Sequence, residues 1–202
     1  MWNFEINEHN SLTVSALPKD SKDELKWEAR FFWPGEQIIT LQGLDEKLLD
    51  IGNYQVKHRQ DVYFLLPDQH YNIKRRRNEL IYKPLLREGR QSQGYGKKIK
   101  LAEHPDKQPL PGTPSLTREQ LLSHLQKKGV EIAVDKCALI YKFPSTPAVK
   151  LELARLQIAN KIYFSACIEG WSQQLVEQIT KHLLASQVSC NYVNFLKQTF
   201  TS

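Results

Sequence analysis

The sequence predicts an α+β fold in which an antiparallel sheet carries most of the chain and a few helices flank it. Three observations predict it. Apolar and charged residues alternate at a period of two in successive segments, turn residues punctuate those segments, and only two stretches show the spacing of a long amphipathic helix. The 202 residues are 41% apolar and 25% charged, an ordinary globular composition, and at this length one domain is the default.

The elements follow in chain order. The first twenty-odd residues are polar and aperiodic, which predicts an extension or a loosely attached first strand. From Lys26 to Trp33 the run KWEARFFW puts Trp27, Ala29, Phe31 and Trp33 on one face and Lys26, Glu28 and Arg30 on the other, until Pro34-Gly35 ends it. A short helix is expected from Leu44 to Ile51, stopped by Gly52-Asn53. Val56, Val62 and Phe64 then alternate with Lys57, Arg59 and Asp61 as a second strand, with His58 on the packed side. Tyr71 to Arg77 and Leu80 to Lys83 read as a hairpin bent at Asn78-Glu79. Arg87 to Gly96 reads as loop, Lys97 to Leu101 as a strand, and Pro105 to Pro114 as irregular.

Thr117 with Gln120 forms a capping box ahead of Leu121, Leu122 and Leu125, and Gly129 stops that helix. Strands are expected from Val130 to Val134, with a continuation to Tyr141 left open, from Ala148 to Ile158 and from Lys161 to Glu169. A last amphipathic helix should run from Ser172 to Ser186 on a stripe of Leu175, Val176, Ile179 and Leu183.

Several function classes are excluded. No run of about 18 apolar residues exists, and the first ten residues lack a basic, then apolar leader, which argues against membrane spanning and export. Cys137, Cys167 and Cys190 show no paired spacing and the six histidines form no HxH or HxxxH pair, so a disulfide framework and a zinc site are not expected. Cys137 and Cys167 read as core fillers with no histidine at a catalytic spacing. A reducing cytoplasm is the simplest setting.

The net charge of +6 is unevenly spread. Residues 57–100 carry twelve basic and four acidic residues, +8, which leaves −2 for the rest of the chain. A local excess of this size attracts a polyanion. The polar faces of the strands are not the usual mixture of Thr, Ser and Gln: they hold Lys26, Glu28 and Arg30, then Lys57, Arg59 and Asp61, then Lys74 and Arg76, then Lys83, Lys150, Glu152 and Glu169. An eight-stranded closed barrel would put those charges inside, with room for one compact anion. Glutamates among them would suit a hard cation bridging phosphate oxygens.

KWEARFFW, QDVYFLLPD, NIKRRRNELIYK, VKLELARL and the closing ACIEG before an amphipathic helix resemble, in order, the CYTH or triphosphate tunnel metalloenzyme superfamily. The resemblance covers residues 26–187, leaving 1–25 as an extension and 188–202 as a tail. It implies an antiparallel eight-stranded tunnel that binds triphosphate through Lys and Arg and a divalent Mg²⁺ or Mn²⁺ through acids. The family's first strand reads Glu-x-Glu-x-Lys, matched here by Lys26, Glu28 and Arg30. Its third-strand basic pair corresponds to Lys74 and Arg76, the next lysine to Lys83, and a later basic position to Lys136. Arg59 and Lys150 extend the phosphate set. The metal set is reduced to Glu28, Glu152 and Glu169, because Lys26, Ala154 and Cys167 stand where the family has acids.

Three functions then compete: a metal-dependent triphosphatase, a relative that binds polyphosphate or nucleotide without turnover, and a nucleic-acid-binding module using residues 57–100. No catalytic residue is assigned. The thinned acids separate the first two, and only turnover decides between them.

Overall fold

A computed structural model of the protein describes residues 2–7, 17, 19–43, 48, 50–89, 91–185 and 187–200. The strands are β1 (Phe4–Asn7), β2 (Lys26–Pro34), β3 (Ile39–Gln42), β4 (Gln55–Leu66), β5 (Gln69–Arg76), β6 (Glu79–Lys83), β7 (Leu85–Glu88), β8 (Gln93–Tyr95), β9 (Ile99–Lys100), β10 (Val130–Lys142), β11 (Val149–Ile158) and β12 (Lys161–Gly170). The helices are α1 (Arg118–Lys128), α2 (Gln173–Leu184) and α3 (Tyr192–Phe200). The helix expected over Leu44–Ile51 lies mostly outside the described residues; Asp50 caps a 3-10 turn at Ile51–Asn53.

Ten strands form one curled antiparallel sheet in the order β7-β8-β2-β12-β11-β10-β4-β5-β6-β9. This corrects the expected eight-stranded closed barrel: the sheet is an open half-barrel. Its flanks explain why. The segment expected as loop supplies the end of β7 and all of β8, and the strand expected at Lys97–Leu101 shrinks to β9. These flanking strands have four, three and two residues, too short to carry a ladder across the seam. Pro84, where the chain crosses from β6 to β7, has no N–H to offer, although its carbonyl accepts from the Gly96 amide.

Alternation sets the two faces. On the convex side Trp27, Phe31 and Trp33 pack against Leu175, Val176, Ile179 and Leu183 of α2 and against Ile39 and Leu41 of β3, which pairs in parallel with β1. Each large apolar side chain so buried contributes roughly 1.5–3 kcal/mol. The Thr117 capping box forms as the sequence predicts, and α1 sets Leu121 and Leu125 over Phe64, Ile73 and Tyr82 on the rest of that side. Two-residue turns at Arg77-Asn78 and Ala159-Asn160 have both φ values positive, the twist that matches a hairpin. Among the described residues no helix is long and apolar enough to cross a membrane.

The concave face divides. One end is apolar, with Tyr63, Leu65, Ile132, Val134, Leu156 and Ile158, and α3 lies on it through Tyr192, Val193 and Leu196. The residues read as a tail are therefore part of the packed structure. The Cys190 amide donates to the Arg30 carbonyl of β2 (2.7 Å), and Lys197 donates to the carbonyls of Pro67 and Gln69 at the β4–β5 turn. The other end is charged.

Candidate functional site

The charged end holds a cavity of about 230 Å³. The strand period puts the same-parity residues of neighbouring strands there together: Arg30 is in register with Cys167, Glu28 with Glu169, and Arg59 with Lys136. All eight basic residues singled out in the sequence line this one cavity: Lys26, Arg30, Arg59, Lys74, Arg76, Lys83, Lys136 and Lys150. So do Glu28, Glu152 and Glu169.

The acids are engaged with these cations. The Glu152 carboxylate accepts from Lys136 (2.8 Å) and Arg30 (3.1 Å), Glu28 from Lys83 (2.5 Å), and Glu169 from Lys26 (2.7 Å). Asp61 accepts from Arg76 through both oxygens (2.6 Å each) and from Lys74 (2.9 Å). Burial disfavours the charge on Glu28, but the Lys83 ammonium and then the Arg30 guanidinium outweigh it and hold the carboxyl at about 2. Asp61 stands at about 2 as well: burial again opposes, and the hydrogen bond from Arg76 and the Lys74 charge prevail. Glu152 lies well below the usual carboxylate range because Lys136 and Arg30 overcome the same burial penalty. Lys74 goes the other way, since burial and the neighbouring Arg76 outweigh Asp61 and bring the amine down to about 7.

Four cations on the cavity wall make no ion pair among the described residues: Lys57, Arg59, Lys98 and Lys150. They are the uncompensated positive charge of this wall among the described residues. The sequence reading put Lys57 and Asp61 on the charged face with Arg59 but gave neither a role in the site, and it missed Lys98 and Tyr192. Tyr192 was not legible, since it reaches the cavity from α3, where Arg30 lies 4.7 Å from its ring centre and Tyr63 stacks beside it. Its hydroxyl has no hydrogen-bond partner among the described residues.

Among the described residues no three His, Cys, Asp or Glu side chains converge as a metal-ligand set. Glu28 and Glu169 are nonetheless cross-strand neighbours on β2 and β12, whereas Glu152 is tied by two cations. Such a pair fits a cation that shares its shell with phosphate oxygens and waters, rather than one caged by protein alone. Cys167 is buried in the same row, and burial pushes its thiol up, away from thiolate. His58 is exposed on the convex side, which corrects the expectation that it packs, and it stands 4.0 Å from Cys137 because β4 and β10 bring the two into register.

No family model matches the chain. No curated protein matches it in sequence. Among solved structures, a Bacillus halodurans protein provisionally described as an adenylate cyclase aligns at 12% identity and a TM-score of 0.43, over 86% of this chain and 97% of that one. The protein PH1819 of Pyrococcus horikoshii aligns at 14% identity and a TM-score of 0.40, over 85% and 98%.

Proposed function

We propose that the concave cavity binds a short polyphosphate, inorganic triphosphate or the triphosphate of a small organic molecule. One observation carries this: ten basic side chains and three acidic ones line a cavity of about 230 Å³, and four of the ten are unpaired. A compact polyanion supplies the missing charge through charge-assisted hydrogen bonds. The order of the tunnel-family motifs along the sequence supports the same ligand. Much of the basic segment 57–100 is spent on this wall, through Arg59, Lys74, Arg76 and Lys83, which favours a small ligand over nucleic acid.

The acids act chiefly as spacers that hold the cations apart and aimed while the cavity is empty of phosphate. Mg²⁺ or Mn²⁺ arriving with the ligand would be held by Glu28 and Glu169, where it would offset phosphate charge. A second reading is hydrolysis of the bound triphosphate. The engagement of every acid in an ion pair favours recognition without turnover, because no carboxylate is left to orient an attacking water.

Calorimetric titration of triphosphate into the wild type and into Lys150→Ala tests the proposal. Lys150 has no carboxylate to orphan, so its loss should cost about 1.5–3 kcal/mol of binding as one charged hydrogen bond removed. Absence of saturable binding, or identical affinity in the variant, overturns the assignment. Phosphate release with and without Mg²⁺, absent in Glu28→Ala, would establish turnover.

A further inference from the structure

The backbone pairing leaves a gap beside the cavity. β4 pairs with β10 from Gln55 to Leu65, but with β5 only from Val62 onward, because β5 turns back at Arg77-Asn78. The stretch of β4 from Gln55 to Asp61 therefore has a strand on one side only. Around that free edge lies an open groove of about 1140 Å³. It shares Lys57, Arg59, Arg76 and Lys136 with the inner cavity, so the two spaces meet at those residues. Beyond them it is lined by Arg77 and by Arg155, which reaches it from the convex face beside Cys137 and His58. Neither Arg77 nor Arg155 makes an ion pair among the described residues, and no Phe, Tyr or Trp lines the groove.

We infer that the groove is a second, distal phosphate subsite: a linear inorganic polyphosphate longer than triphosphate seats one end in the cavity and leaves sideways past the free edge of β4, its outer phosphates held by Arg77 and Arg155. This rests on the cavity's proposed affinity for triphosphate. The chemistry of the lining selects the ligand. Unpaired guanidinium groups match phosphate oxygens, whereas a nucleoside would need an aromatic or apolar wall to stack on. Apart from Glu79, which is paired with Lys100, Asp135 is the one acid on the groove, so its field is positive along its length.

The experiment compares triphosphate, ATP and a linear polyphosphate several times longer, titrated at fixed ionic strength into the wild type and into the double variant Arg77→Ala/Arg155→Ala, with thermal melts to confirm that both fold. The expected result is that the longer chain binds the wild type about tenfold or more tightly than triphosphate, the scale of one or two charged contacts. The double variant should lose that gain and keep the triphosphate affinity, since neither arginine lines the inner cavity. Equal affinity for both lengths, or a gain that survives in the variant, overturns the distal subsite while leaving the cavity intact. A gain shown by ATP and lost in the variant overturns it in favour of a nucleoside site. Failure of triphosphate itself to bind is the separate failure of the cavity.

Discussion

Glu152 sits between two buried cations, so its contribution is largest when it is missing. Glu152→Ala leaves Arg30 and Lys136 facing each other without a counter-charge, a change that costs about 3–5 kcal/mol when one partner of a buried pair is removed. Denaturant unfolding should show that loss, and added triphosphate should restore part of it by standing in for the carboxylate; a variant as stable as the wild type would contradict the buried pairing. The same carboxylates set the acid limit of the fold. Glu28 falls from 4.5 to about 2 and Asp61 from 3.8 to about 2 on folding, so between those values the unfolded chain binds more protons than the native one. Stability present above 4.5 is therefore lost as pH falls towards 2, and a urea midpoint that stays flat across that window would refute the paired carboxylates. The phosphate-facing residues were legible for a simple reason. A charge on a strand has its face fixed by parity, so Lys26, Glu28 and Arg30 could be assigned to one side before any fold was known. His58 went wrong because parity predicts a face, and the convex face near His58 is not covered by a helix.

At the scale of elements, α3 is the one whose role the sequence left unread. Asn191 caps it by accepting from the Asn194 amide, but its apolar positions, Tyr192, Val193, Phe195 and Leu196, give a stripe too short to show a period, and nothing local says that its target is the inside of a curved sheet. Leu196 is fully buried there, so Leu196→Ala should destabilise the protein by about 2–5 kcal/mol, read from chemical denaturation. A loss below 1 kcal/mol, of the order of an exposed substitution, would mean that the helix is not docked. The capped helix α1 and the amphipathic α2 were legible because their signals are local: Thr117 with Gln120, Ser172 accepting from the Leu175 amide, and apolar stripes that need only one partner surface. The short flanking strands β7 and β8 carry no such signal, since three or four residues cannot display a period.

Across the whole molecule, strand count and closure depend on how distant segments meet, and alternation says nothing about that. Beyond the single backbone bond at Pro84, the curl is held across its open side by side chains: Lys83 of β6 reaches Glu28 of β2, and the ring centre of Tyr95 lies 3.6 Å from the same ammonium. Replacing Lys83 with Met should quicken hydrogen exchange in β6 and β9 while leaving β11 and β12 unchanged; equal protection in both would show that the flank stands without it. One consequence follows for the mechanics of the fold. A seam closed by a side-chain clasp, and not by a ladder of amides, has a stiffness set by charge. Any phosphate that draws Lys83 towards itself lengthens the clasp by the same motion, so filling the cavity and spreading its two lips are one coordinate, and the width of the mouth becomes a reporter of what lies within.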